Sequence, residues 1–173
     1  MTAKRMADKY VSIGLVNPKN PTNIGGVMRA AGCYQADAVF YSGERANRAM
    51  RFQTDTKDVV QRIALTAVDD LLECIPADAD VVCVELVEGA ISLPQFNHPA
   101  NAFYVFGPED GTIPQEIVDR AHSVVYVPTI GCMNLAATVN VLLYDRCAKL
   151  GFSADGDELI RQSRDTNNRV KVR

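Results

Sequence analysis

The chain has 173 residues, of which 47% are hydrophobic and 23% charged, with a formal net charge of −3 at pH 7 and five cysteines. This length suffices for one domain with its own core, and no apolar run approaches the ~18 residues that cross a membrane. The slightly acidic balance disfavours a protein that simply coats nucleic acid, and cysteines without a CxxC pair favour reduced thiols over a disulfide framework or a metal site.

The chain opens on MTAKRMADKYV, which lacks the apolar core of a signal peptide, so a cytoplasmic protein is expected. Val11–Val16 predicts a first buried strand. Two prolines hold the following loop extended, and Thr22 or Asn23 is expected to cap a helix through about Tyr34.

Two glycines stand in the first turn of this predicted helix. Glycine costs about 1 kcal/mol against alanine inside a helix, so Gly25 and Gly26 suggest close approach by another backbone or by a ligand. Arg29 lies six residues after Asn23, and its long side chain can reach back toward the loop. An ordinary surface arginine is the alternative.

A second strand is predicted at Ala38–Tyr41, followed by SGERANRAMRFQTDTKD, which is typical of a loop with a short helix beyond it. Arg45, Arg48 and Arg51 make this loop a candidate for RNA contact, and a solvated charged loop is the alternative. Charge is segregated along the chain: residues 63–119 contain eleven acidic residues and no Lys or Arg. The basic N-terminal third and tail could therefore bind a polyanion, and solvated helix faces are the alternative explanation.

The middle of the chain predicts a short helix and two strands. The helix is expected to begin at Thr66 or Asp69 and to end before Pro76. Asp80–Val87 is apolar nearly throughout, as are parallel strands that are buried on both faces. Phe103–Phe106 predicts the next strand.

The loop GPEDGTIP follows that strand directly. Pro114 is well placed at a helix start. Glu109 lies within the loop, where backbone amides can hold its carboxylate or an arginine can donate to it. A simple capping role for Glu109 is the alternative.

A strand at Val124–Val127, a loop through Gly131 and a long helix to about Cys147 complete the pattern, with Asn134 as the N-cap. The apolar stripe of this helix consists of Leu135, Val139, Leu142 and Leu143. A strand end that leads into a helix N-terminus is where open α/β sheets bind ligands, because unpaired amides point outward there. An ordinary strand–helix connection is the alternative.

Strands and helices thus alternate along the chain, which predicts an α/β fold with a mostly parallel sheet flanked by helices. Neither GxGxxG after the first strand nor GxxxxGK[ST] anywhere is present. Enzymes that use a dinucleotide or a triphosphate are therefore disfavoured.

The three loops NPTNIGGVMRAAG, FGPEDGTIP and VPTIGCMNLAATVNV resemble, in order and spacing, the three motifs of the SpoU/TrmH family of SPOUT methyltransferases. The resemblance covers roughly Val11 to Phe152. It implies methyl transfer from S-adenosyl-L-methionine to a ribose 2′-hydroxyl of tRNA or rRNA. It also implies a homodimer and a C-terminal trefoil knot, a rare exception to unknotted chains.

Motif by motif, the resemblance ties Arg29 most closely to catalysis, with Asn23 assisting. It implies that Glu109 and Asn134 shape the active site and that backbone groups hold much of the cofactor. The residues implied for cofactor binding are Leu86, Gly107, Val127, Cys132, Met133 and Leu135.

One departure from the family pattern concerns the third motif. Cys132 stands where the family usually has serine, and a thiol is a poor substitute for a hydroxyl in hydrogen bonding. Cys132 leaves open a SPOUT-like RNA-binding module without turnover. A SPOUT enzyme that methylates a base is a further alternative, because it would share the fold.

We expect the methyltransferase domain at residues 1–152 and a basic tail at 153–173, which is either flexible or holds RNA through residues such as Arg169 and Lys171. Without an appended RNA-binding module, this domain resembles the minimal members of the family. A dimer would supply further surface, and on size we favour tRNA over rRNA.

Overall fold

The structure, a computed structural model, describes residues 9–50, 63–152, 155–164, 170 and 172. The strands are β1 (Val11–Val16), β2 (Ala38–Ser42), β3 (Leu65–Val68), β4 (Asp80–Val84), β5 (Ile91–Ser92), β6 (Ala102–Phe106) and β7 (Ser123–Tyr126). They form one parallel sheet in the order β3-β2-β1-β6-β4-β7-β5. The predicted α/β class with a parallel sheet is confirmed.

Helices flank this sheet. They are α1 (Pro21–Cys33), α2 (Arg45–Met50), α3 (Gln115–Asp119), α4 (Leu135–Leu150) and α5 (Gly156–Ser163), and two short 3₁₀ turns occupy Leu71–Cys74 and Leu93–Gln95. Among the residues described, no helix is long and apolar enough to span a membrane.

Two apolar clusters cover the two faces of the sheet. Ile13 and Leu15 of β1 join the larger cluster with α1 and α4, whereas Val16 joins the smaller one with Phe103 and Ile117. Alternate residues of a strand point to opposite faces, so β1 is buried on both sides. The predicted apolar stripe of α4 is buried, as expected.

The two glycines of α1 have different surroundings. A Cβ on Gly26 would lie 2.7 Å from the Cβ of Ala136 in the first turn of α4, whereas a Cβ on Gly25 would meet nothing within 4 Å. Gly26 therefore lets α1 approach α4 closely. Close approach by another part of the chain was one of the two expectations for Gly25 and Gly26, and a bound ligand was the other.

The predicted start of α1 was wrong. The N-cap is Asn20, whose side chain accepts a hydrogen bond from the amide of Thr22 at 2.9 Å, and Thr22 and Asn23 lie inside the helix. Pro21 occupies the first helical position, where its missing N–H costs nothing because that amide has no intrahelical partner. Asn23 is thereby free for a long-range role.

Other boundaries also differ. Thr66 lies in β3 and not at a helix start, and Asp70 caps the 3₁₀ turn that follows. The basic loop contains α2, which begins at Arg45, within the segment that was predicted as loop. β4 ends at Val84, three residues before the predicted end, and the amide of the next-but-one residue, Leu86, donates to the side chain of Glu85 at 3.0 Å instead of to a neighbouring strand.

A buried polar network ties the segment before β6 to α4. His98 is 6% exposed; its Nδ1 lies 2.6 Å from the hydroxyl of Tyr104 and its Nε2 lies 2.9 Å from Oδ2 of Asp145. Arg146 donates to that Tyr104 hydroxyl at 3.1 Å and to the carbonyls of Pro99 and Ala100, both at 2.6 Å. These groups are satisfied together when His98 is neutral and carries its proton on Nε2.

We expect stability to fall in mild acid because of His98. Burial lowers the pKa of His98 below its ordinary value of 6.5. As the pH falls through 6.5, the unfolded chain takes up a proton that the folded chain still excludes, so the free energy of unfolding decreases until the lower folded pKa is passed. Urea unfolding between about pH 7.5 and about pH 5.5 measures this loss.

The variant His98→Gln serves as the control, since glutamine does not titrate in this range. This variant should have a lower free energy of unfolding than the parent at the higher pH. Its free energy of unfolding should change much less than that of the parent between the two pH values. An unchanged parent midpoint across the range would contradict the assignment of His98 as a buried neutral group.

Candidate active site

The carboxyl ends of neighbouring parallel strands meet at a cavity. β6, β4 and β7 lie in one parallel sheet, so the segments that follow them emerge at the same edge. Residues from 84–86, 106–111 and 126–138 enclose a cavity of about 160 Å³. The predicted ligand position at these strand ends therefore coincides with an actual concavity.

At the rim of the cavity, one chain of hydrogen bonds joins the three motif loops. Asn134 Nδ2 donates to Asn23 Oδ1 at 2.7 Å, and Asn23 Nδ2 donates to Glu109 Oε1 at 3.1 Å. The same Glu109 carboxylate accepts from the amides of Lys19 at 3.0 Å and Asn20 at 3.1 Å. Three residues that the resemblance assigned to the active site are thus brought into one network.

The direction of this chain follows from local structure. Asn134 is the N-cap of α4, and its Oδ1 accepts from the amides of Ala136 and Ala137 at 2.9 and 3.3 Å. Its amide nitrogen must therefore point away from the helix, toward Asn23. The side-chain amides of Asn134 and Asn23 both donate in the direction of Glu109, so this series of hydrogen bonds ends on the Glu109 carboxylate.

The electrostatics of Glu109 favour the ionised form. Burial alone raises the pKa of this carboxyl, but the hydrogen bonds from Lys19, Asn23 and Asn20 outweigh burial and hold the pKa below its usual value. The network therefore persists at every pH at which Glu109 stays charged.

A second acidic residue of the same loop, Asp110, binds two basic side chains. Asp110 accepts from Lys19 Nζ at 3.0 Å and from Nη1 of Arg45 at 3.0 and 3.1 Å, and the hydrogen bonds from these two residues hold the pKa of Asp110 below its usual value. Arg45 also donates through Nε and Nη2 to the carbonyl of Asn17, at 3.1 and 2.6 Å.

All the residues assigned to the cofactor line this one cavity. They are Leu86, Gly107, Val127, Cys132, Met133 and Leu135. Cys132 is exposed and lines the cavity with a free thiol. No group of three or more metal-ligating side chains occurs within the described ranges.

Sequence reasoning missed Glu85, which also lines the cavity. Its Oε2 accepts from the amide of Ile113 at 3.0 Å, and a Cβ on Gly107 would lie 2.9 Å from that oxygen. Glu85 thereby holds the segment after β6 against the end of β4. Its position as the first polar residue after an apolar strand was the available signal.

Arg29 stands apart from the network. It is exposed on α1, does not line the cavity, and forms no hydrogen bond or ion pair with any residue that the structure describes. A guanidinium with five unused donors at the protein surface is available to an incoming anion.

The residues predicted to contact RNA fall into two groups. Arg45 is the residue that joins Asp110 to Asn17, and Arg48 is 79% exposed in its side chain, with an ion pair to Glu44 at 3.5 Å. Arg51, Arg169 and Lys171 lie outside the described residues.

Comparison with known families shows to which family the chain belongs. The family described as the SpoU rRNA methylase family matches residues 10–144, which contain all three motif loops and the network between them. The chain belongs to the SpoU rRNA methylase family. SpoU methylases are RNA methyltransferases that use S-adenosylmethionine.

Solved structures agree with the SpoU fold. A protein studied for the 2-OH methylation of C/U34 on tRNA is 23% identical, with a TM-score of 0.68 over 82% of this chain and 91% of that protein. AviRb from Streptomyces viridochromogenes, in complex with the cofactor AdoMet, is 15% identical, with a TM-score of 0.69 over 84% of this chain and 62% of AviRb. An AdoMet-bound rRNA methyltransferase from Sinorhizobium meliloti is 19% identical, with a TM-score of 0.66 over 86% of this chain and 60% of that protein.

At these identities the structural similarity establishes the fold. The chain spans about three fifths of the length of AviRb and of the Sinorhizobium meliloti enzyme. No curated protein sequence matches the chain significantly.

Proposed function

We propose that this SpoU methylase transfers the methyl group of S-adenosyl-L-methionine to a ribose 2′-hydroxyl of tRNA or rRNA. The observation that carries the proposal is the hydrogen-bonded chain Glu109–Asn23–Asn134 at the cavity rim. It unites the motif residues of three distant loops beside a cavity formed by the residues assigned to the cofactor.

The cavity suits a ligand that is part apolar and part polar. Apolar side chains such as Leu86 and Leu135 face the same space as the carboxylates of Glu85 and Glu109. Gly107 also lines the cavity, and a Cβ at this position would lie 2.9 Å from Oε2 of Glu85. These residues would hold S-adenosylmethionine, with backbone groups of Gly107 and Val127 available to its polar atoms.

The protein's own contribution to the chemistry is mainly positioning. The sulfonium cofactor supplies a methyl group whose departure needs no general acid. Asn23 and Glu109 hold the start of α1 against the cavity rim, and Arg29 binds an RNA phosphate and stabilises the negative charge that develops on the 2′-oxygen. Because guanidinium stays protonated, Arg29 is not the base, and the proton passes to that phosphate or to water.

A trefoil knot and a homodimer belong to this proposal. The chain leaves β7 on the far side of β4 and then returns to pack α4 against α1, which is the path a knotted C-terminal segment would take. Tyr144 and Phe152, whose rings lie 5.8 Å apart, are about half exposed and form an apolar surface for a second copy. Sedimentation at the mass of a monomer would exclude the homodimer. A crystal structure in which the C-terminal segment does not pass through a loop of the chain would exclude the knot.

Transfer RNA is the preferred substrate. One structural neighbour that this chain nearly matches in length was studied for methylation of C/U34 on tRNA. Arg48 offers a highly exposed cation on the basic helix α2 for the RNA backbone.

The deciding experiment incubates the protein with isotope-labelled S-adenosylmethionine and bulk tRNA or rRNA, digests the RNA, and identifies the labelled nucleoside by mass spectrometry. A 2′-O-methylated nucleoside is expected. Label on a base would identify a base-methylating enzyme instead. RNA binding without calorimetrically detectable S-adenosylmethionine binding would identify a non-catalytic module, the reading that Cys132 leaves open.

A further inference from the structure

The outer rim of the active site carries two cations that share one carboxylate. Lys19 Nζ and Arg45 Nη1 both lie 3.0 Å from Asp110. We propose that Lys19 and Arg45 form a binding site for one phosphate of the substrate RNA, and that Asp110 occupies this site in the free protein. The proposal rests on the RNA-directed function above.

Both residues also make a contact that does not involve Asp110. Arg45 uses Nε and Nη2 on the carbonyl of Asn17, which leaves Nη1 directed at the carboxylate. The backbone amide of Lys19 donates to Glu109, which holds the backbone of Lys19 beside the loop, while Nζ contacts only Asp110 among the described residues. When the carboxylate moves away, Arg45 Nη1 keeps its direction, and the flexible side chain of Lys19 can still reach the same anion.

The carboxylate itself is easily exchanged. The side chains of Lys19, Asp110 and Arg45 are 47%, 44% and 35% exposed, and ion pairs this open to water contribute little to stability. A phosphodiester carries the same charge as Asp110, and its oxygens accept from arginine and lysine equally well. An RNA phosphate can thus replace Asp110 without leaving a buried charge unpaired.

The position of the pair connects it to the chemistry. Asp110 follows Glu109, which lines the cavity, and Lys19 binds Glu109 and Asp110 at once. A phosphate held by Lys19 and Arg45 would therefore belong to a nucleotide at or next to the one that enters the site. Until RNA arrives, Asp110 neutralises the cations and lowers their attraction for other anions.

The test measures affinity for fluorescein-labelled bulk tRNA as a function of NaCl concentration, with the full chain. Asp110→Asn should tighten binding roughly three- to tenfold at low salt, because the competing charge is gone. Asp119→Asn is the matched control: Asp119 is exposed on α3, close to the amino end of β7 and thus away from the cavity edge, and it should change affinity much less.

Arg45→Gln provides an independent arm. It should weaken tRNA binding and reduce the slope of log Kd against log salt concentration by about one, since one phosphate contact is lost. In the Arg45→Gln background, Asp110→Asn should have only a small effect. Circular dichroism melting establishes that each variant is folded, and the Arg45→Gln arm decides the question even when Asp110→Asn does not fold.

Two results would overturn the inference. If Asp110→Asn weakens tRNA binding or matches Asp119→Asn, Asp110 is a structural tether between the two loops. An unchanged salt slope in Arg45→Gln would likewise remove the phosphate site. Calorimetry of the parent protein with S-adenosylmethionine separates the two proposals. If the parent does not bind the cofactor, the proposed function fails; if it does, only the phosphate site is refuted by the results above.

Discussion

Arg29→Ala is expected to lower kcat/KM for RNA methylation by about 10²- to 10³-fold, the usual cost of removing one donor that stabilises developing negative charge. The expectation follows from the isolation of Arg29: it is exposed and has no partner in the described part of the chain. Its donors are therefore available to the substrate. Single-turnover methyl transfer with saturating cofactor measures the effect.

Two further variants make this experiment specific. Arg29→Lys keeps the charge but loses the planar fork, so it should retain RNA affinity better than it retains turnover. Arg120→Ala removes an exposed arginine of the C-cap of α3 and should leave both unchanged. Calorimetry should find the same affinity for S-adenosylmethionine in every variant. If Arg29→Ala turns over nearly as fast as the parent, Arg29 neither positions a phosphate nor acts as a general base.

Glu109→Gln is expected to disrupt the site although it is isosteric. The carboxylate accepts from the amides of Lys19 and Asn20 and from the side chain of Asn23. A glutamine offers one oxygen and turns an NH₂ group toward a donor, which leaves at least one N–H unpaired. The cost to stability is about 1–3 kcal/mol, and a displacement of about 1 Å in the loop can lower methyl transfer about 10²-fold.

The matched control for this substitution is Glu116→Gln. Glu116 is exposed in the first turn of α3, and no hydrogen bond of its side chain to another described residue is present. Chemical denaturation should give a lower free energy of unfolding for Glu109→Gln than for Glu116→Gln, with methyl transfer reduced in the first only. Equal stability and activity in the two variants would show that the hydrogen-bonded chain does not organise the site.

Several features of the fold could be predicted because their causes are local. Alternating apolar strands and periodic helices predict a parallel sheet, and Asn134 before an apolar stripe predicts the N-cap of α4. The errors arose where two local signals compete. Asn20, Thr22 and Asn23 can all cap a helix, and only the proline between them places the start at Asn20.

The alternation of strands and helices and the three loops at the strand ends could be predicted from the amino-acid sequence, because periodicity, capping and turn chemistry act over a few residues. The contacts between distant side chains are visible only in the folded protein. Asn23 is 86 residues from Glu109 and 111 from Asn134, and Arg45 is 65 from Asp110. Such contacts depend on the order and register of parallel strands, which place distant loops at one edge of the sheet, and no local pattern encodes that order.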